Sequence, residues 1–152
     1  YNHCSITMTP DGSEIYWAMA PIDTPLRIYF SRLANGLWSG PEIVNFTRDQ
    51  DGDNPKISPD GKCLYFTSSR PLPGGEARRE RIWVAERTGE SWGESVPLGP
   101  EINDEHLHWQ VSVDQGRNLY FGSSREGSKG RDDIFFAEFR NGEYAEPVSF
   151  CP

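Results

Sequence analysis

The apolar positions of this chain fall in short runs and follow no helical stripe. Ile15-Tyr16-Trp17, Leu64-Tyr65-Phe66 and Leu119-Tyr120-Phe121 each place three apolar residues in succession, and each follows a turn. Those turns are Pro10-Asp11-Gly12, Pro59-Asp60-Gly61 and the one-residue-longer Val113-Asp114-Gln115-Gly116. A second set of runs follows in the same order: Ile28-Tyr29-Phe30, Ile82-Trp83-Val84 and Ile134-Phe135-Phe136. Ten residues after each Ile stands an aromatic, Trp38, Trp92 or Tyr144, and a glycine turn lies between. Runs of this kind, apolar in successive positions, predict strands covered on both faces. Asp-Gly and Asn-Gly supply the positive-φ positions of tight hairpins.

The chain therefore reads as three copies of one unit, over about residues 3–46, 53–98 and 108–150. Each copy predicts four short strands: an approach strand such as Ile57-Ser58, the first apolar run, the second apolar run, and a closing strand carrying the aromatic. Four-stranded antiparallel units of this length, stacked face to face, are β-propeller blades. The fold class predicted is all-β. The stretch Glu76-Ala77-Arg78-Arg79-Glu80-Arg81 has high helix propensity. It is read as loop running into strand, because the repeat register sets Ile82-Trp83-Val84 opposite Ile28-Tyr29-Phe30.

Ser58-Pro59-Asp60-Gly61-Lys62-Cys63-Leu64-Tyr65-Phe66-Thr67-Ser68-Ser69-Arg70, followed by Ile82-Trp83-Val84-Ala85, resembles the WD-repeat-like repeat of TolB-type bacterial β-propellers. Ser112 to Arg125 with Asp133-Ile134-Phe135-Phe136 is similar to the same repeat. The first copy departs from it, since Ala18-Met19-Ala20-Pro21 replaces the Ser-Ser-Arg ending. The resemblance implies a propeller and a periplasmic or extracellular location. It implies little about activity, because such propellers serve as scaffolds, binding platforms and enzyme domains. Closed propellers have 4–8 blades. Three repeats predict half of a six-bladed ring closed by a homodimer, an excerpt of a longer propeller, or an open fragment.

Composition narrows the partners. The 152 residues carry 15 basic and 23 acidic side chains, a net charge of −8. An acidic chain argues against general nucleic-acid binding, which needs a basic face. No apolar run reaches the length of a membrane span, so no membrane insertion is expected. Aromatics at 12% argue against disorder. The chain starts at Tyr1 without a signal-peptide pattern, which reads as a processed or excerpted chain. Cys4, Cys63 and Cys151 read as neutral thiols, with a Cys4–Cys151 bridge as the alternative.

Candidate chemistry sits where residues break the repeat. His106-Leu107-His108-Trp109 occupies a blade-to-blade connection near Asp104 and Glu105. His-x-His suits a metal pair or acid–base work, with His3 or Asp53 as a third group. The alternative reading has Trp109 packed between blades and the histidines as polar surface. Asp49, Asp51 and Asp53 alternate in the preceding connection and offer hard oxygens to calcium. They depart from the EF-hand pattern, which needs glycine where Asn54 stands. Arg70 and Arg125 follow the Ser-Ser pairs and read as blade-stabilising or ligand-facing guanidiniums. Pro71 to Arg79 reads as an irregular exposed loop whose Arg78 and Arg79 suit an acidic partner. No phosphate-binding glycine loop, serine elbow or Cys/His dyad is present. The expected function is a non-catalytic scaffold recognising a protein, peptide or glycan on its loop face. The alternatives are a propeller-borne hydrolase or lyase, with or without a metal, and the gating propeller of a larger peptidase.

Overall fold

The computed structural model describes residues 2–72, 74, 79–104, 106 and 108–150, with backbone only for 2–4. It is all-β, and its three antiparallel sheets are propeller blades that follow one another along the chain. The first holds β1 (Asn2–Met8), β2 (Glu14–Ala20) and β3 (Arg27–Ala34), with a fourth strand in two pieces, β4 (Leu37–Trp38) and β5 (Glu42–Ile43). The second holds β6 (Asp53–Ile57), β7 (Cys63–Ser68), β8 (Arg81–Thr88) and β9 (Ser91–Pro97). The third holds β10 (His108–Val113), β11 (Leu119–Ser123) and β12 (Asp133–Ala137). Beside them β13 (Phe139–Arg140) and β14 (Glu143–Tyr144) form a hairpin, and β15 (Val148–Ser149) pairs with β12.

The split fourth strand has a sequence cause. Pro41 and Pro147 stand three residues after Trp38 and Tyr144, where blade 2 has Ser95 paired to Ala85. Proline has no N–H to give the ladder, so pairing is interrupted before it and resumes at the next residue, Glu42 or Val148. The long loop before β8 contains Pro73 and Gly75–Arg78, which lie outside the described residues. Arg79 and Glu80 run without regular structure into the strand.

Double-sided burial is found in one blade of the three. Every residue of β7 is buried, whereas β2 and β11 alternate between buried and half-buried. The middle blade has a neighbour on each side; the outer two have one each. Two apolar cores straddle the two blade junctions. Tyr16, Ile28 and Val44 pack against Leu64, Phe66, Trp83 and Trp92. Tyr65, Ile82 and Val84 pack against Val113, Leu119, Phe121 and Phe135. The closing-strand aromatic of each following blade reaches the central tyrosine of the one before. The Trp92 indole N–H donates to the Tyr16 hydroxyl at 3.1 Å, and the Tyr65 and Tyr144 hydroxyls lie 3.0 Å apart.

Polar groups reinforce both junctions. The buried Glu14 carboxylate accepts from Arg32 Nε at 2.8 Å, from the Tyr16 hydroxyl at 2.7 Å, and from the Arg87 guanidinium of blade 2. Burial pushes this carboxyl up, and the two arginines outweigh it and hold it below its usual range. Each blade connection is also fastened to the third strand by one buried side chain. The Thr47 hydroxyl takes Ile28 N–H at 3.3 Å; the Asn103 amide takes Ile82 N–H at 2.8 Å and donates to Ile82 and Leu98 carbonyls at 2.8 and 3.0 Å. The turn aspartates are structural: Asp11, Asp60 and Asp114 each accept backbone N–H groups within their own turns. Gly12 and Gly61 carry positive φ as expected, but in the longer third turn Arg117 does so (65°), not Gly116.

Candidate functional site

The chain enters each blade on its innermost strand. β1, β6 and β10 each pair on one side only, so their other edges face a common groove of about 580 Å³. Each strand carries a bulge: those between Asp53 and Lys56 and between Trp109 and Ser112 lie at the same rung, opposite Phe66 and Phe121, and that between His3 and Ile6 lies one rung further on, opposite Ala18. Asn54 and Gln110 are the first residues of their bulges, and Ser5 is the second of its own. Asn54 (φ 49°) and Gln110 (φ 53°) are left-handed there, a conformation costing a non-glycine residue about 1 kcal/mol or more. Ser5 Oγ donates to Asn54 Oδ1 at 3.2 Å, which links two of the strands. Asp53, Lys56, Pro55 and Val111 complete the wall with Trp109.

Trp109 has a seat of its own. It pairs across the ladder with Gly122, and a Cβ built there would come within 2.7 Å of the indole Nε1. The same place in the other blades holds Ala18 and Thr67. The glycine therefore leaves room for the indole against the second strand. Gly122→Ala is expected to displace Trp109, moving its indole N–H resonance and costing about 1–2 kcal/mol of stability by overpacking. Calorimetry and a nitrogen–proton correlation spectrum check both effects.

The connection into blade 3 assembles around Asp104. Its Oδ1 lies 3.2 Å from His106 Nδ1 and 3.2 Å from His108 Nε2, and its Oδ2 is ion-paired with the Arg125 guanidinium at 2.9 Å. His108 is fully buried, edge-on to Phe121 at 5.7 Å. Burial lowers its pKa to about 4 against the pull of Asp104, so the ring is neutral at neutral pH. Neither ring nitrogen has a hydrogen-bond partner among the described residues. Its 0% exposure counts against the ligand-facing and acid–base readings of His108. His106 remains half-exposed at the rim.

The two arginines also turn inward. Arg125 is buried, donates to the Glu101 and Ile102 carbonyls at 3.0 and 2.8 Å, and lies over the Phe121 and Phe135 rings. Arg70 is buried and donates to the Asp51 carbonyl at 3.1 Å and to Ser95 Oγ at 2.9 Å. Both clamp a blade connection to the end of their own sheet. That replaces a ligand-facing role with the blade-stabilising alternative.

Asp49, Asp51 and Asp53 do not converge. Asp51 accepts from Ser69 N–H at 2.6 Å and Ser68 Oγ at 3.2 Å, Asp53 accepts from Asn54 N–H at 2.6 Å, and Asp49 is exposed. Among the described residues no group of three or more His, Cys, Asp or Glu side chains is placed to hold a metal ion. Asp49, Asp51 and Asp53 therefore form no such group in this arrangement. The His3 side chain, Glu105, Leu107, Arg78 and the Cys4–Cys151 alternative lie outside what the structure describes. Backbone register does set His3 opposite Met19 as His108 is set opposite Ser123. Cys63 is a free, buried thiol pushed up by burial.

Solved structures share this fold. TolB from Acinetobacter baumannii is 22% identical, with a TM-score of 0.61 over 95% of this chain and 32% of that one. A TolB-like protein of Agrobacterium tumefaciens is 18% identical, with a TM-score of 0.65 over 98% of this chain and 50% of that one. The tricorn protease is 15% identical, with a TM-score of 0.58 over 99% of this chain and 17% of that one. The chain thus spans half or less of each of these neighbours, and it shares their β-propeller fold. No family model matches the chain, and no curated protein matches it in sequence.

Proposed function

We propose that this chain is a non-catalytic binding module that takes an extended segment of another protein in the groove along its innermost strands. The observation that carries the reading is the convergence of repeat-breaking residues on that groove. Trp109, Asn54, Gln110, Asp53 and Lys56 line it at positions whose residue differs from copy to copy, while shared residues such as Tyr16 and Tyr65 sit at the junctions. Free strand edges offer main-chain donors and acceptors, as in strand addition. The indole offers a flat apolar platform. The net charge of −8 favours a basic segment. A periplasmic or extracellular setting, implied by the TolB-type resemblance, belongs to the same proposal. Among the described residues no helix is long and apolar enough to cross a membrane.

Selection of a displayed random heptapeptide library on the protein tests this reading. The expected winners are extended and basic, and Trp109→Ala weakens them at least 10-fold, a loss of about 1.4 kcal/mol. Retained affinity in Trp109→Ala removes the groove from consideration. Capture of chitin oligosaccharides in place of peptides moves the ligand class to glycans. The likeness to the tricorn protease supports a second reading, a propeller portion serving a larger peptidase. Turnover of fluorogenic peptides by this chain would favour it.

A further inference from the structure

The two internal junctions are built alike, and the second lacks a part that the first has. At the first, the Glu14 carboxylate of blade 1 takes the Arg87 guanidinium of blade 2. The Tyr16 hydroxyl stands beside both, donating to Glu14 at 2.7 Å and accepting from Arg87 at 3.3 Å. Arg87 also lies over the Trp92 ring at 4.5 Å. At the second junction Cys63 holds the place of Glu14, two residues before the central tyrosine, and is a buried thiol. Phe139 holds the place of Arg87, five residues after its isoleucine. A guanidinium is brought there all the same. Arg117 lies over the Phe139 ring at 4.4 Å and hydrogen-bonds the Tyr65 hydroxyl, which is 3.0 Å from that of Tyr144. This cation therefore meets phenols and a thiol where the first junction supplies a carboxylate. Its Nε has no hydrogen-bond partner, and no carboxylate is ion-paired with it, among the described residues. Asp60, which feels its charge, is committed to its own turn through the Ser58 hydroxyl at 2.5 Å and Lys62 N–H at 3.0 Å.

Arg117 lines a cavity of about 440 Å³ between blades 2 and 3. Val96, Pro97 and Leu98 of one blade and Phe139 and Tyr144 of the next give it apolar sides. Burial pushes both tyrosines up, so their hydroxyls keep protons to donate. We infer that this cavity binds a carboxylate carried on a short apolar body, the ligand supplying what Glu14 supplies at the first junction. Arg117 and the Tyr144 hydroxyl donate to the carboxylate, and Val96, Leu98 and Phe139 cover the body. Hydrogen bonds assisted by charge in this way are roughly twice as strong as neutral ones. The exposed Glu101 and Glu143 also line the cavity and oppose negative charge, so a ligand with one carboxylate is favoured over one with several. A free organic acid and a peptide chain end share this chemistry. The cavity is separate from the groove of the innermost strands, and its ligand is independent of that groove's.

Titration with hexanoate, followed by the Arg117 Nε–H and Tyr144 ring resonances, tests the inference. Hexanamide is the neutral control, and acetyl-Val-Leu as acid and as amide represents the chain end. A saturable shift is expected with millimolar acid. Binding is expected to weaken about 10-fold or more for the amides and in Arg117→Gln, whose circular dichroism spectrum stays unchanged. Tighter binding of hexanoate than of the dipeptide acid assigns the site to a free organic acid; the reverse assigns it to a chain end. Cys63→Glu places the carboxylate of the first junction in the second, and is expected to abolish binding by occupying Arg117 from within. If that variant does not fold, the amides and Arg117→Gln decide. The absence of a saturable shift, equal binding of acid and amide, or undiminished binding in Arg117→Gln overturns the inference. A folded Cys63→Glu protein that binds hexanoate as tightly as wild type overturns it as well.

Discussion

Replacing Asn103 by leucine is expected to lower stability by about 3–5 kcal/mol, since each buried backbone group left without a partner costs about 1–3 kcal/mol. Two such groups depend on this one side chain, the N–H of Ile82 and the carbonyl of Leu98, while the Ile82 carbonyl loses one of its two donors and keeps the Leu98 N–H. They lie at the junction of blades 2 and 3, where Ile82 and Asn103 are buried. A loss of that size is a large part of the roughly 5–15 kcal/mol that holds a domain together. Urea unfolding followed by tryptophan fluorescence checks it through the midpoint. The counterpart Thr47→Val, with one hydroxyl serving Ile28 and Val44, is expected to lose less, about 1–3 kcal/mol.

The second large effect is acid sensitivity from His108. An unfolded histidine takes a proton near pH 6.5, whereas this one resists to about 4. Between those values the unfolded chain binds more protons than the folded one, so stability falls as the pH falls. The slope approaches 1.4 kcal/mol per pH unit, and the whole effect is about 2–3 kcal/mol by pH 4. The groups facing the ring are Asp104, which favours its charge, and Arg125, His106 and Arg81, which oppose it. Asp104 itself is held below its usual range, so its own contribution is lost only below about pH 4. Glu80 is pushed up by burial and works in the opposite direction. The difference between wild type and His108→Gln isolates the histidine. That variant is expected to lose the slope between pH 6.5 and 4, and an unchanged slope would contradict the assignment.

How far the sequence carried depended on whether a residue repeats. Runs such as Leu64-Tyr65-Phe66, the turn aspartates and the aromatics Trp92 and Tyr144 recur at fixed spacing, and the blades and their junction contacts follow from them. The fastening residues were not legible, because Thr47 and Asn103 do one task with different chemistry. His108 looked available because histidine is polar. Its burial follows from the ladder, which points it at Phe121, and no local pattern announces that. Trp109 stood out as a repeat-breaking residue, yet its seat on Gly122 needs the cross-strand register. One signal was present unread: Gly122 stands where the other copies have Ala18 and Thr67.

The groove reading has a direct test in the indole N–H resonances of the five tryptophans, titrated with a selected basic heptapeptide. Trp109 alone lines the groove, whereas Trp83 and Trp92 are buried at the first junction and Trp38 lies on an outer blade face. The account predicts a saturable shift of the Trp109 resonance with Trp83 and Trp92 unmoved. Saturable binding that moves Trp38 and leaves Trp109 in place would contradict it.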